Sequence, residues 1–345
     1  MTHRIEHEVS LDGTDVRFAC AEGDTLLRAA LRAGVGLSYE CNSGSCGSCR
    51  YELLDGEMHD RRPDAPGLTA RDRRKQRRLA CQSEPLSACT VRIGATAEPA
   101  PHRPVRQQAT LREINPLTHD MAEFVFATGQ PAAFSPGQYA MVLLPDGRVE
   151  RAYSMSNVGN CYGEWRFVVK RTPDGQATSI LFDKLEVGAT VSLDGPYGHA
   201  YLRRDDPKIV CVGGGSGVGA MVSIVLGAAA LPDAAGREVH LFLGGRSAED
   251  LFLPSALELA APRLGALHFH TAVSGAPEAG EEACRPESAA YRGFVHEAVI
   301  DAMGDDLTDY TYYAAGPPAM TDALARSLVL EGGLDADRLY FDRFC

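Results

Sequence analysis

Four cysteines have a spacing that can hold iron. Three of them lie in a short loop rich in glycine and serine, and the fourth is distant: Cys41, Cys46, Cys49 and Cys81. A C-x4-C-x2-C run followed by a distant cysteine is the ligand spacing of plant-type 2Fe-2S clusters. Zinc is the alternative, but zinc ribbons use two C-x2-C pairs and only Cys46 and Cys49 form one. The sequence therefore predicts a 2Fe-2S cluster, which transfers one electron at a time.

A second candidate site is a glycine-rich run in the last third of the chain. The run Val212-Gly-Gly-Gly-Ser-Gly-Val-Gly219 stands between a predicted strand at 208–212 and an apolar helix that reaches about Ala230. In this context, glycine turns present backbone N–H groups and a helix dipole to a pyrophosphate. Alone the run is weak evidence, because plain tight turns also use glycine and no acidic residue ends the next strand.

The elements around these motifs divide the 345 residues into three predicted domains, of multidomain α+β and α/β class. Residues 1–97 combine short strands with a helix capped by Asp24, and we expect a β-grasp ferredoxin domain. A proline-rich linker is predicted at 98–107. Residues 108–205 show short β segments between Pro/Gly turns, typical of an antiparallel β-barrel. Residues 206–345 alternate strands and helices, as in a Rossmann-like parallel α/β domain.

Composition and charge exclude several classes of function. No apolar run reaches the ~20 residues of a membrane span and no secretion signal is visible, so we expect a cytoplasmic protein. The net charge of -12 disfavours nucleic-acid binding. We interpret the basic run Arg71–Arg78 as a solvated helix face, with a docking surface for an acidic redox partner as the alternative. The other cysteines are expected to be buried apolar residues or free thiols: Cys20, Cys89, Cys161, Cys211, Cys284 and Cys345.

The segment Arg151-Ala-Tyr-Ser-Met-Ser-Asn157, taken with the glycine run and Ala315-Gly-Pro-Pro-Ala-Met320, resembles the ferredoxin-NADP reductase superfamily of flavoproteins. The resemblance covers residues 108–345 and implies that the barrel binds FAD. It implies that Arg151 pairs with the FAD pyrophosphate, that Tyr153 packs on the flavin or its ribityl chain, and that Ser154 hydrogen-bonds near flavin N5.

Further FAD contacts follow from the same resemblance. They are Ala152, Val168, Lys170, Gly175 and Thr178, the last in place of a phosphate-binding serine. For Lys170, a plain surface charge is the alternative. The resemblance also nominates Phe344 as a ring that shields the flavin and moves to admit nicotinamide, with a core aromatic as its alternative.

For the nicotinamide nucleotide, the resemblance implies three groups of contacts. The pyrophosphate group is Gly213, Gly214, Gly215, Ser216 and Gly217, the ribose group is Gly244 and Arg246, and the nicotinamide group is Gly316, Pro317 and Met320. Glu249 and Asp250 would repel a 2'-phosphate, so we predict NADH over NADPH. Ala315 and Ala220 depart from the family, which commonly has cysteine and proline at these positions.

The order of ferredoxin, flavin and nucleotide domains resembles the reductase components of multicomponent bacterial oxygenases. Four segments are similar to the toluene and alkene monooxygenase reductases: Tyr39-Glu-Cys-Asn-Ser-Gly44, Pro63-Asp-Ala-Pro-Gly-Leu68, Leu79-Ala-Cys-Gln82 and Phe341-Asp-Arg-Phe344. The resemblance implies that electrons pass from NADH through FAD and the 2Fe-2S cluster to an oxygenase, hydroxylase or Rieske ferredoxin component. The alternatives are a reductase for a Rieske ring-hydroxylating dioxygenase and a non-catalytic redox-sensing iron-sulfur flavoprotein. The hydrocarbon and the immediate electron acceptor stay open.

Overall fold

The computed structural model describes residues 5–94, 101–145, 147, 149–275 and 290–344. Its contacts form two compact units. The first joins the residues up to Arg106 with Asp194–Gly198, and the second consists of Gln107–Leu193 and His199–Phe344. The predicted domain boundaries stay predictions, and part of the predicted linker at 98–107 lies outside the described residues.

The cysteine motif lies in a mixed five-stranded sheet that packs with a short helix. The strand order is β2-β1-β7-β3-β5, with β1 antiparallel to β2 and parallel to β7. This arrangement confirms the predicted β-grasp ferredoxin fold. The elements of this part are β1 Glu6–Leu11, β2 Arg17–Ala21, α1 Leu26–Arg32, β3 Arg50–Asp55, β4 Met58–Asp60, α2 Ala70–Arg74, β5 Arg78–Leu79, β6 Ser83–Pro85 and β7 Cys89–Ile93.

Two local predictions for this part were wrong. Helix α1 is capped by Thr25 rather than Asp24, because the Thr25 hydroxyl accepts the N–H of Arg28. The basic run does not form one helix face, since α2 ends at Arg74 and Gln76 has a left-handed backbone with φ 54°.

The predicted antiparallel barrel is confirmed as a six-stranded sheet in the order β11-β10-β13-β8-β9-β12. A bridge between Met155 and Phe167 joins the two ends of this order. Buried aromatic residues, among them Phe124 and Trp165, fill the core. The elements are β8 Val105–Pro116, β9 Met121–Thr128, β10 Tyr139–Leu143, β11 Glu150–Ser154, β12 Glu164–Lys170, α3 Gln176–Asp183 and β13 Thr190–Tyr197.

The last part of the chain forms the predicted parallel sheet, in the order β17-β16-β15-β14-β18-β19. Separate apolar clusters cover its two faces, which explains the continuous apolar runs of the central strands. The order reverses beside β14, and α/β sheets bind ligands at such a switch point. The elements are β14 Lys208–Gly214, α4 Val218–Ala229, β15 Glu238–Gly245, α5 Ala256–Ala260, β16 Ala266–Val273, β17 Tyr291–Arg292, α6 Val295–Met303, β18 Thr311–Gly316, α7 Pro318–Ala325 and β19 Leu339–Arg343.

Helix α4 connects this sheet to the barrel through one buried serine. The Ser223 hydroxyl donates to the carbonyl of Asn157 at 2.6 Å and accepts the N–H of Gly137 at 3.3 Å. These bonds fix two barrel loops on the helix that follows the glycine run. No sequence motif predicted this role for Ser223.

Within the described ranges, no helix is long and apolar enough to cross a membrane. The cytoplasmic location stays a prediction.

Candidate functional site

The four predicted cluster ligands lie in the first unit as free thiols. Cys41, Cys49 and Cys81 are buried and Cys46 is partly exposed. Strand pairing brings the distant cysteine to the loop, because β3 begins directly after Cys49 and pairs with β5, which ends just before Ala80. The N–H of Ala80 donates to the carbonyl of Cys49 at 3.0 Å, so Cys81 stands beside the cysteine loop.

Backbone N–H groups of the loop surround its sulfur atoms. Ser43 and Cys46 each donate an N–H to the Cys41 sulfur at 3.4 Å, and Ser48 donates to the Cys46 sulfur at the same distance. Gly47 has φ 78°, and a Cβ there would lie 2.4 Å from the Gly67 carbonyl oxygen. Donors of this kind stabilise thiolates and tune the potential of a bound cluster, so the loop fits a 2Fe-2S cluster.

The sulfurs interact as two pairs. Contact with the Cys46 thiol, aided by the loop N–H groups and opposed by burial, lowers the pKa of Cys41 to about 4. The same contact and burial raise the pKa of Cys46. The Cys49 thiol and burial raise the pKa of Cys81 well above its usual value.

Two pairs of sulfurs suit two iron ions better than one zinc ion. All four cysteines belong to the described part of the chain, and no three of their sulfurs lie within 4.8 Å of one another, as ligands of a single ion would.

A buried cation beside the cluster loop was missed by the sequence analysis. Arg28 is 1% exposed, and its Nε donates to the Asn42 side-chain oxygen at 3.4 Å, next to Cys41. The guanidinium also lies 3.6 Å from the carboxylate of Asp194, which accepts from Arg32 and Arg106 as well. Nδ2 of Asn42 is buried without a hydrogen-bond partner, which leaves an N–H donor beside the first cysteine.

Strand β11 carries the first group of predicted FAD contacts. Arg151 and Ala152 are exposed, Tyr153 is half-buried, and Ser154 is buried. The Tyr153 ring packs against Phe167 with centroids 6.4 Å apart. Burial raises the pKa of Tyr153 to about 12, so the phenol is neutral near pH 7.

The end of β11 meets the C-terminal strand of the parallel sheet. The Ser154 hydroxyl donates to the Asp342 carboxylate at 3.3 Å, and Asp342 lies opposite Ala315 in the β18–β19 register. Phe344 donates its N–H to the Gly316 carbonyl at 3.0 Å, and its half-buried ring packs against the apolar cluster of β14 and α4. Ser154 and Phe344 are predicted site residues, whereas Asp342 was not predicted. Its position in the tail Phe341-Asp-Arg-Phe344 was the available signal.

The loop before α3 carries Gly175 and Thr178. The Thr178 hydroxyl accepts the N–H of Thr172 and lies 3.2 Å from the Thr172 and Gly175 carbonyls, so it closes its own loop. Helix α3 begins after Gly175 without a side-chain cap. Its first N–H groups are therefore suited to a phosphate. Val168 packs against Gly219 at the start of α4.

Lys170 lies in an ion-pair group that the sequence analysis did not foresee. Its Nζ is 2.6 Å from Asp250 and 2.9 Å from Asp120. The Asp250 carboxylate, 3% exposed, also accepts the N–H groups of Arg246 and Ser247. Although burial alone would raise the pKa of Asp250, Lys170 and these N–H groups lower it to about 2. Asp250 is thus an ionised carboxylate whose charge is balanced by Lys170, whereas Glu249 is exposed.

The predicted nucleotide contacts meet at the carboxyl edge of the parallel sheet. Gly214 pairs with Gly244, and Gly213 pairs with Ala315. A Cβ on Gly217 would lie 2.0 Å from the Ala315 carbonyl oxygen, so only glycine lets the turn approach β18 this closely. The turn contains Gly215 and Ser216, and the Met320 sulfur lies beside Gly214 at the start of α7, which Pro317 precedes. Arg246, at the end of the neighbouring strand β15, is exposed.

The remaining cysteines lie apart from this chemistry. Cys20, Cys89 and Cys211 are buried free thiols, and Cys161 is exposed. Cys284 and Cys345 lie outside the described residues.

Three family models match the chain in succession. A 2Fe-2S iron-sulfur cluster binding domain matches residues 9–86. An oxidoreductase FAD-binding domain matches residues 108–201, and an oxidoreductase NAD-binding domain matches residues 211–326. The three matches agree with the cysteine loop, the barrel and the parallel sheet.

Relatives resemble the chain over nearly its whole length. The ferredoxin–NAD(P)(+) reductase CarAd of Metapseudomonas resinovorans is 37% identical over 94% of this chain and 96% of the relative. The ferredoxin–NAD(+) reductase component of the alkene monooxygenase system of Xanthobacter autotrophicus is 40% identical over 95% and 97%. The solved structure of a ferredoxin reductase in carbazole 1,9a-dioxygenase is 33% identical to this chain, and the match covers 100% of both chains with a TM-score of 0.88.

Proposed function

Because the chain belongs to the family of NAD(P)H-dependent ferredoxin reductases that serve multicomponent oxygenases, we propose that it carries electrons from NADH to a hydrocarbon monooxygenase. When bound, FAD accepts electrons in pairs from the nicotinamide nucleotide and the 2Fe-2S cluster passes them on one at a time. The observation that carries the proposal is that one chain contains both a cysteine loop with its sulfurs in pairs and a sheet edge lined by glycines that can receive a nucleotide.

In this proposal, Cys41, Cys46, Cys49 and Cys81 hold the cluster as thiolates. The loop N–H groups stabilise the sulfurs of Cys41 and Cys46. Their preformed arrangement supports the assignment, because little of the loop needs to reorganise when iron binds.

The FAD contacts are proposed on the barrel residues of β11 and α3. Exposed Arg151 is available to pair with the pyrophosphate, and the neutral Tyr153 ring offers a flat surface to the flavin. Ser154 orients its hydroxyl through Asp342, and this pair can hold a proton beside the flavin. We assign the phosphate contact to the N–H groups at the start of α3 rather than to the Thr178 hydroxyl, which its loop already uses.

Preference for NADH rests on one exposed carboxylate. Glu249 follows the ribose-side strand, and its charge opposes a 2'-phosphate, whereas Asp250 is neutralised by Lys170. The test compares kcat/KM for NADH and NADPH in the wild type and in Glu249→Gln. We expect a preference for NADH that the substitution reduces, on the order of threefold to tenfold. A wild type that uses NADPH equally well would refute this part of the proposal.

The identity of the acceptor needs a direct assay. Full-length likeness to an alkene monooxygenase reductase favours a monooxygenase, whereas likeness to the carbazole dioxygenase reductase favours the second candidate, a dioxygenase reductase. The assay measures NADH-dependent reduction of the purified acceptor component of a di-iron monooxygenase and of the purified acceptor component of a ring-hydroxylating dioxygenase. Faster reduction of the monooxygenase component supports the proposal. Faster reduction of components from a ring-hydroxylating dioxygenase supports the second candidate.

A further inference from the structure

A group of histidines on the parallel sheet has no part in the redox site. Glu238 and His240 are two residues apart on β15, and His268 and His270 are two residues apart on β16. The two strands are parallel neighbours, with His240 opposite His268. Because alternate residues share a face of a strand, all four side chains lie on one face of the sheet.

Three of these side chains converge. The Glu238 Oε1 atom lies 3.3 Å from Nε2 of His240 and 3.9 Å from Nε2 of His268. One ligand atom from each of the three residues lies within 4.8 Å of the others. Two imidazoles and a carboxylate are a ligand set of zinc and related divalent ions. The His240 and His268 rings stack with centroids 4.4 Å apart, and His268, with a side chain 47% exposed, has room to turn toward an ion.

Neighbouring groups support these three residues as ligands. Nδ1 of His240 lies 3.1 Å from Nε2 of His270, so His240 can donate its second N–H there while its Nε2 binds metal. The Tyr310 ring packs edge-on against His240, with ring centroids 5.5 Å apart. Metal-binding histidines and carboxylates generally have such partners, which fix their orientation.

The charges around the group also allow a cation. Lys208 is a nearby cation, but it lies 3.4 Å from the Asp309 carboxylate, which offsets its charge.

We propose that Glu238, His240 and His268 bind one divalent ion of the zinc class, with water completing the coordination. His240 stands four residues before Gly244, roughly 13 Å along β15, so the ion would not touch the nucleotide. Its effect would be to link β15 to β16 at their amino-terminal halves. The other group of possible ligands, which includes Asp120 and Asp250, carries no such proposal because the Lys170 ammonium lies between the two carboxylates.

The test uses the holoenzyme, with FAD and cluster in place, equilibrated with Zn²⁺ by dialysis. Zinc and iron per chain are then measured for the wild type, His268→Gln and Glu238→Gln. We expect the wild type to hold one more zinc than His268→Gln, and Glu238→Gln to bind zinc at least tenfold more weakly. Iron per chain stays constant, which excludes exchange at the cysteine loop. His296→Gln is the control, since His296 lies on α6 and stacks on Phe294 outside the group.

A second readout follows the melting temperature. Zn²⁺ should raise it in the wild type and in His296→Gln but not in the two ligand variants, because only a folded site binds the ion. Flavin absorbance reports that each variant is folded. Equal zinc content in the wild type and both ligand variants, or an equal melting shift in all four proteins, would overturn the proposal.

Discussion

The cysteine loop and the nucleotide edge of this protein are built in opposite ways. Three of the four cluster ligands lie within nine consecutive residues, and their N–H donors come from the same loop. The nucleotide edge is assembled from the ends of β14, β15, β18 and β19, far apart in the chain. Cluster chemistry can therefore be predicted from a local motif, whereas the nucleotide site depends on strand register. Substitutions in the two regions should therefore impair different properties of the protein.

Removal of a cluster ligand should have the largest effect on electron transfer, and that effect should be confined to the cluster. In Cys49→Ser we expect loss of most of the iron and a fall of more than a hundredfold in reduction of one-electron protein acceptors, because a hydroxyl is a poor substitute for thiolate. FAD content and NADH oxidation with a two-electron acceptor should remain. Iron analysis and parallel acceptor assays measure this. Cys89→Ser, a change at another buried free thiol, is the control and should keep its iron. Full iron content in Cys49→Ser would contradict the ligand assignment.

A larger side chain at the nucleotide edge should reduce both the stability of the fold and the binding of NADH. Gly217→Ala places a Cβ 2.0 Å from the Ala315 carbonyl oxygen, so the glycine turn after β14 and strand β18 must shift apart. We expect a loss of about 1–3 kcal/mol in the free energy of unfolding and a raised KM for NADH, with the iron content unchanged. Denaturant unfolding and steady-state kinetics measure the two effects. Gly236→Ala is the control, because a Cβ there meets nothing within 4 Å. Identical behaviour of the two variants would show that the close approach is not required.

The ion pair between Lys170 and Asp250 is a third kind of contact, since it joins two segments that no motif connects. Lys170→Met removes the nearer of two cations that pair with the buried Asp250 carboxylate, the other being Arg246 at 3.7 Å. We expect a loss of about 1–3 kcal/mol in the free energy of unfolding at pH 7. The pKa of Asp250 in the folded protein is lowered to about 2, so its contribution is complete above about pH 4 and is lost as the pH falls through 2. The gap between variant and wild type should therefore shrink at acid pH.

Unfolding measured at pH 7 and at pH 3 tests this prediction. Lys184→Met removes an exposed lysine that directly follows α3, and this variant serves as the control. A gap that widens as the pH falls would mean that Lys170 does not act through Asp250.

The smallest effect is expected from substitution of Arg28, which influences the potential of the cluster but is not one of its ligands. Arg28→Met removes a buried positive charge beside Asn42, so the cluster potential should fall by tens of millivolts. Asp194 retains Arg32 and Arg106, which limits the loss of stability. A redox titration followed by visible absorbance measures the potential. Arg32→Met is the matched control and should shift it less, because Arg32 pairs with Asp24 and Asp194, whereas Arg28 also donates to Asn42 in the cysteine loop. Equal shifts in both variants would argue against a specific role for Arg28.

These contrasts also explain what the sequence could predict. Cys41, Cys46 and Cys49 are identified by spacing alone, and the glycine run by its position between strand and helix. The periodicity of apolar residues and the positions of turn residues were enough to predict the barrel and the parallel sheet, because burial of apolar faces determines both. The ion pair of Lys170 and the contact of Ser154 with Asp342 were missed, because each joins residues 80 or more positions apart. The end of α2 was missed because charged residues carry little periodic signal, and only the left-handed Gln76 stops the helix.

The most direct test of the account is an anaerobic titration of the holoenzyme with NADH, followed by visible absorbance, with iron, sulfide and FAD measured on the same sample. The account predicts that each chain takes up three electrons, two by the flavin and one by the cluster. Bleaching of the flavin alone, in protein that contains its full iron and sulfide, would contradict the claim that this chain passes electrons from a two-electron donor to a one-electron carrier.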